Sequence, residues 1–316
     1  MNGSTHPLLA LGDAVAAALA EARPVVALES TLISHGLPAP DNLATARAAE
    51  TAVREGGATP ATVGIVDGRI VVGLDDAQME RLADPESGAR KASRRDVAAV
   101  LTRRKLAATT VSATMIAAAL AGIEVFATGG IGGVHRGAES SFDISADITE
   151  LARTPVTVVC AGAKLILDLP KTLEVLETAG VPLLGLRCGG FPGFFARDTG
   201  LPLDDVVSSV DDLAAIVATQ RQLGLATGVL VLNPAPETAA IPADEAYDWI
   251  AKAIAEAHAV GVSGKAVTPF LLERVSRLSG GRTLHANKAL IVNNAATGAR
   301  LATALARLKT TLPAPG

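Results

Sequence analysis

Short runs of Val, Ile, Leu and Ala recur along the chain, and between them apolar positions return at the three-to-four-residue spacing of a helix. The apolar runs predict strands over residues 25–28, 62–66, 123–127, 156–160, 182–186 and 229–232. The intervening stretches predict helices over 41–55, 110–121, 146–152, 169–178 and 211–223, with Asp41 and Ser145 as N-caps and Gly180 and Gly224 as stops. From Ile241 onward strand patterns cease, and 244–259, 269–278 and 283–306 read as helix, the last rich in alanine.

Such alternation predicts an α/β fold: a single α/β/α domain over residues 1–316, with a central mostly parallel sheet and a helical C-terminal end-piece. That end-piece either lies over the sheet or forms a subunit contact. In an open parallel sheet, ligands collect beyond the carboxyl ends of the strands, so the residues there are the ones to inspect for chemistry.

Composition narrows the function. A hydrophobic content of 49% is ample for a sizeable core, and a formal charge of −4 does not suit a protein built around the nucleic-acid backbone. Cys160 and Cys188 are the only cysteines, which excludes a disulfide framework and a four-thiolate zinc site. The start of the chain has no basic region ahead of its apolar stretch, which Asp13 interrupts, so no signal peptide is expected. An apolar stretch such as residues 113–123 falls well short of the roughly 20 residues a spanning helix needs. A cytoplasmic protein with no membrane or nucleic-acid partner is expected.

Two opposite charges stand just past two of the most apolar strands: Glu29 in "VVALESTLISHG" and Lys164 in "VTVVCAGAK". A lysine among apolar neighbours can act as a Schiff-base nucleophile, and a nearby carboxyl can move the protons that such chemistry requires. A plain ion pair is the alternative. The stretch "FATGGIGGVHRG" follows a strand and offers closely spaced backbone N–H groups to an anion, with His135 and Arg136 attached; a loop without ligand is equally compatible. It is no dinucleotide fingerprint, because His135 stands at the sixth position of the frame from Gly130. "GVSGKA" is too short for a P-loop.

"SFDISAD" places Asp143 and Asp147 four residues apart before a helix, as hard oxygen ligands for magnesium or manganese or as acids interacting with the helix dipole. "RKASRRD" reads as a solvated charge run or as a source of a phosphate contact in Lys91. The five histidines, at 6, 35, 135, 258 and 285, show no metal-ligand spacing.

Taken together and in this order, "VALESTLISHGLPAPDN", "KASRRD", "TTVSATM", "FATGGIGGVHRGAESSFDISAD", "VTVVCAGAK" and "GKAVTPFLL" closely resemble the pseudouridine-5′-phosphate glycosidase family, from about Pro24 to Asn294. The resemblance implies an α/β/α homotrimer that cleaves the carbon–carbon glycosidic bond of pseudouridine 5′-phosphate to uracil and ribose 5-phosphate, reversibly. It implies Lys164 as nucleophile through an imine of the ring-opened sugar, and Glu29 as proton donor and acceptor. It further implies one manganese ion per subunit, or another divalent metal, on Asp143 with water. By the same resemblance Lys91, Val111, Ser145, Ala146 and Asp147 line the ribose phosphate site, with His135 and Asn287 as further substrate-binding candidates. "LRCGGFPGFFAR" and the more basic "TRRKLAATTV" depart from the family pattern, which bears on substrate discrimination and not on Glu29, Asp143 or Lys164.

Without the resemblance, the competing readings are another Schiff-base lyase or aldolase on a phosphorylated sugar, and a non-catalytic sugar-phosphate sensor. A ribokinase-type kinase would need a Gly-Ala-Gly-Asp anion hole near its end, which this sequence lacks.

Overall fold

The computed structural model describes residues 6–262 and 267–311; part of "GVSGKA" and the start of "GKAVTPFLL" lie outside the described residues. Among the described residues, eleven strands form one sheet: β1 Leu9–Leu11, β2 Val25–Leu28, β3 Thr59–Val66, β4 Arg69–Val72, β5 Arg90–Ala92, β6 Ala107–Thr109, β7 Val125–Ala127, β8 Thr157–Cys160, β9 Leu183–Leu186, β10 Asp205–Val207 and β11 Val229–Leu232. The helices are α1 Asp13–Ala20, α2 Asp41–Glu55, α3 Asp76–Ala83, α4 Val97–Thr102, α5 Val111–Ala121, α6 Ala138–Ser141, α7 Ala146–Leu151, α8 Leu169–Thr178, α9 Val210–Gln222, α10 Ala243–Ala259, α11 Val267–Leu278 and α12 Arg282–Thr311.

The main path through the sheet runs β1-β4-β3-β2-β7-β8-β11-β9-β10, with β6 joining β5 to β3. Only β3–β4 and β3–β6 pair antiparallel; the other pairings are parallel. From β2 the chain first builds outward to β3, then returns to place β7 on the opposite side and continues to β8. The carboxyl ends of β2 and β7 therefore flank a topological switch point, where a crevice opens for a ligand.

Every residue of β2, β7, β8 and β11 is buried, as expected of strands covered on both faces. The C-terminal helix α12 packs on β2, β7 and β8, between α2 and α9. Gly298 makes this contact close: a methyl group there would sit 3.1 Å from the Ala127 Cβ and 3.4 Å from Val26. Helix α5 packs against α7 and touches β2, β3, β6 and β7. The end-piece is thus a layer of the fold.

One helix-end assignment changes. Asp41 is the first helical residue of α2 and not its cap; Pro40 precedes it without a side-chain bond, and Asp41 instead pairs with Lys288 of α12 at 2.5 Å. Ser145 does cap α7, accepting from the Asp147 N–H. Strands β1, β5, β6 and β10 have three residues each, too few to display a period. Strand β4 had a legible signal: Asp67 and Gly68 both have positive φ, +50° and +84°, at the tight turn that reverses β3 into β4.

Candidate active site

Glu29 leaves β2 at the switch point, and the next two residues hold it there. The Ser30 hydroxyl donates to the Val63 carbonyl at 2.5 Å and accepts from the Thr109 N–H at 3.0 Å; the Thr31 hydroxyl donates to the Thr109 carbonyl at 2.7 Å. The "EST" sequence thus nails the exit of β2 to β3 and β6. From the end of neighbouring β7, the Thr128 hydroxyl donates to a Glu29 carboxylate oxygen.

Burial pushes the Glu29 carboxyl above its ordinary range, against the opposing pull of the Lys164 charge, the Thr128 hydrogen bond and Lys91. Asp147 adds a smaller push upward. A carboxyl so placed keeps its proton into a pH range where an exposed glutamate has lost it.

Lys164 follows β8 through a turn that only glycine can make. Gly162 has φ +82°, and a Cβ there would lie 1.8 Å from the Pro192 carbonyl oxygen. The Lys164 N–H donates to Ile131 at 3.2 Å, and the Gly162 carbonyl accepts from the Ile131 N–H at 3.0 Å, so the CAGAK turn is stitched to the glycine stretch after β7.

These elements enclose one cleft. Glu29, Thr31, Leu32, His35, Lys91, Gly129, Gly130, Lys164, Phe194, Asn287 and Ile291 line it, with Pro269 and Leu272 of α11. Glu29, Lys164, Lys91 and Asn287, four of the residues singled out in the sequence, therefore share one wall-to-wall space. The side-chain oxygen of Asn287 is buried without a partner, an acceptor ready for a ligand N–H.

Beside the cleft, the first turn of α5 is tied to its surroundings by hydroxyls. Ser112 Oγ meets Ser93 Oγ at 3.0 Å and Thr110 Oγ1 at 3.1 Å and accepts from the Arg94 N–H at 3.3 Å. Asp147 joins the same cluster from α7. Its two carboxylate oxygens accept the N–H groups of Ser112 at 3.0 Å and Gly132 at 2.9 Å. Val111 is buried at the start of α5, so only its backbone is available to a ligand. Ser145 and Ala146 open α7 and are partly buried.

The expectation of an anion cradle in "FATGGIGGVHRG" is corrected in part. Its N–H groups at Ile131, Gly132, Val134 and His135 already donate to Gly162, Asp147, Thr172 and Asp143, so the anion this loop holds is the protein's own Asp147. None of Gly129, Gly130, Gly132 or Gly133 needs a left-handed φ; a Cβ on any of them would crowd Ile291, Phe194, Ser145 or Thr172. These glycines serve close approach.

His135 and Asp143 are not among the residues lining the cleft. They meet each other, with the His135 N–H on the Asp143 carbonyl at 3.0 Å and Nδ1 4.0 Å from the carboxylate. Arg136 reaches the Ile166 carbonyl at 3.3 Å. Among the described residues, no three His, Cys, Asp or Glu side chains converge for a metal. The half-exposed Asp143 carboxylate fits a hard, largely hydrated divalent ion and not a cage of protein ligands.

Thr31, His35, Thr128 and Phe194 belong to the site and were not singled out from the sequence. His35 sits on a π-helical turn, Leu32–Gly36, and its Nδ1 lies 2.6 Å from Ser34 Oγ. Burial and then the Lys91 charge lower its basicity, favouring the neutral ring. Thr128 had a signal: a polar residue directly after an apolar strand, like Glu29. No helix among the described residues is long and apolar enough to cross a membrane.

Comparison with known proteins places this geometry among relatives. The family model described as indigoidine synthase A like protein matches residues 14–304. The pseudouridine-5′-phosphate glycosidase of Rhodospirillum centenum is 59% identical over 310 residues, covering 98% of this chain and 96% of that protein. The protein of the same name from Paracoccus denitrificans is 55% identical over 301 residues, covering 95% and 99%. Among solved structures, prealnumycin C-glycosynthase in complex with ribulose 5-phosphate aligns with TM-score 0.90 and 39% identity, covering 97% of this chain and 100% of that one.

Proposed function

The chain belongs to the pseudouridine-5′-phosphate glycosidase family, and from that premise we propose that it cleaves the C–C glycosidic bond of pseudouridine 5′-phosphate to uracil and ribose 5-phosphate, reversibly. The observation that carries this reading is the meeting of Glu29 and Lys164 in one cleft at the switch point, with the carboxyl raised by burial.

The chemistry follows from the leaving group. Carbon departs poorly, and C5 of the base must be protonated before the C1′–C5 bond can break. Lys164 Nζ forms a bond to C1′ while the bond from C1′ to the ring oxygen breaks and that oxygen takes up a proton. A proton then goes to C5, the C1′–C5 bond electrons leave with the base, and the nitrogen lone pair closes the C=N bond of the imine. Water adds to C1′ and releases ribose 5-phosphate and the free amine. Glu29 supplies and recovers the protons, a role suited to a carboxyl whose hold on its proton burial strengthens. Ribulose 5-phosphate in the related glycosynthase is a pentose phosphate of the open-chain kind that such an imine requires.

Lys91, the Val111 N–H at the head of α5 and Ser145 to Asp147 receive the sugar phosphate. Asn287 offers its free oxygen to a pyrimidine N–H, and His135 closes the loop around Asp143. A divalent ion, manganese by family resemblance, would be held by Asp143 with water and would supply a fixed positive charge. The chain acts as one domain, and as a homotrimer in which exposed Phe142 and Ile144 find cover.

The test is incubation with pseudouridine 5′-phosphate and manganese, borohydride reduction and mass spectrometry. Free uracil and a reduced pentose phosphate adduct on Lys164 are expected, and both are lost in Lys164→Ala. Turnover by Lys164→Ala would overturn the covalent mechanism, and an adduct without uracil would reassign the leaving group.

A further inference from the structure

Helix α12 presents Asn287, Leu290, Ile291 and Asn294 at helical spacing toward the end of β7. Asn287 and Ile291 reach the cleft, whereas Asn294 is wholly buried one turn further along. Its Nδ2 donates to the Thr128 carbonyl at 2.8 Å and lies 3.4 Å from the Gly129 carbonyl. Its Oδ1 accepts from Asn233 Nδ2 at 2.8 Å, and that group also lies 3.3 Å from Thr297 Oγ1. Asn233 comes directly after β11 and is itself held by its N–H on the Cys160 carbonyl at 2.8 Å.

A buried amide pair usually needs no explanation beyond mutual satisfaction. Here the chain of bonds ends on a reacting group. Thr128, whose carbonyl Asn294 holds, is the residue whose hydroxyl donates to Glu29. Gly129, the second carbonyl, also accepts the Ala161 N–H at 3.0 Å and so bears on the turn that delivers Lys164. One side chain thus spans the parting of β7 and β8, with the acid on one side and the amine on the other.

We propose that Asn294, braced by Asn233, is a positioning residue: by fixing the Thr128 backbone it aims the Thr128 hydroxyl at Glu29 and sets the acid relative to Lys164. This rests on Glu29 acting as the proton donor. The charged and titratable groups that face Glu29 are Lys164 after β8, Lys91 on β5 and Asp147 on α7, with His35 from the π-helical turn in the same cleft. Asn294 itself bonds Thr128, Gly129 and Asn233, so a change there reaches Glu29 through Thr128.

The test compares Asn294→Ala, Thr128→Val and the double variant, reading kcat, KM and the pH dependence of kcat. Loss of a hydrogen bond to a charged group predicts a fall in kcat of roughly ten- to a hundredfold for Thr128→Val, with KM within about threefold. Asn294→Ala is expected to fall in the same range. In the double variant the losses should not multiply, because both remove one interaction. The Thr128 bond favours the charged carboxylate, so in both single variants the limb on which Glu29 loses its proton should move to higher pH.

An Asn294→Ala protein that melts earlier but keeps this limb and kcat unchanged would overturn the proposal, as would losses that multiply. Should Asn294→Ala fail to fold, Asn233→Ala, which removes only the brace, is expected to shift the limb in the same direction; an unmoved limb overturns the proposal equally. Glu29→Gln separates the two levels of argument. If it turns over normally, the assignment of Glu29 falls; if it is inactive while Asn294→Ala leaves the limb in place, only the positioning role falls.

Discussion

Arg94 and Glu150 form the ion pair with the largest expected consequence for the fold. Glu150 is 0% exposed, accepts from Arg94 Nη1 at 2.5 Å and from the Thr154 hydroxyl, and packs α7 against the segment that follows β5. Removing one partner of a fully buried pair costs about 3–5 kcal/mol, because the remaining charge is stranded. The Arg94 side chain is 42% exposed, so solvent screens part of the interaction and Arg94→Met is expected to lose about 2–3 kcal/mol. That corresponds to roughly 3–5 °C in melting temperature for a chain of this size. The double variant Arg94→Met, Glu150→Leu strands no charge and should recover most of the loss. Differential scanning fluorimetry of the single and double variants decides the matter. A single variant within about 0.5 kcal/mol of the parent, or a double variant worse than the single, would refute the reasoning.

Glu29→Gln is expected to be inactive yet more stable than the parent at about pH 8. With the folded carboxyl held above its unfolded value, the unfolded chain releases its proton first as pH rises, and stability falls through that window. The gap should close as the pH falls to the ordinary glutamate range, and a pH-independent gap would contradict the linkage. Gly162→Ala places a methyl group 1.8 Å from the Pro192 carbonyl at φ +82°, and should cost about 1–3 kcal/mol while lowering the yield of the borohydride adduct on Lys164. Asp143→Asn should leave melting unchanged and weaken manganese binding, followed by the free-ion signal in electron paramagnetic resonance; equal binding would remove Asp143 from the metal site.

The strand cores were legible because their burial on both faces writes itself as unbroken apolar runs; the predicted strand 229–232 and helices 41–55 and 169–178 match β11, α2 and α8 residue for residue. Glu29 and Lys164 were legible for the same reason, as charges at the ends of such runs. Asn294 was not, since a polar residue in a helix carries no mark of which carbonyl, 166 residues away in sequence, it will meet. The glycine stretch misled because N–H spacing in a sequence does not show which groups the fold will use internally. There the acceptor proved to be Asp147, read as a metal ligand or helix-end acid and, by resemblance, as a sugar-phosphate contact.

The arrangement around Glu29 explains why the C-terminal helix belongs to the proposed catalytic unit. The proposed acid needs a buried setting, and burial on the sheet alone would leave the Thr128 carbonyl just after β7 without the donor it has in Asn294. Helix α12 satisfies both demands with one face: Leu290 and Ile291 close the apolar side over Gly129, and Asn294 meets the carbonyls of Thr128 and Gly129. A methyl group at Gly129 would sit 3.1 Å from Ile291 and 3.2 Å from Leu290, and one at Gly298 3.1 Å from the Ala127 Cβ, so both glycines set how closely this helix packs on the sheet. The same packing that costs the protein stability at Glu29 therefore supplies the proton its proposed reaction requires.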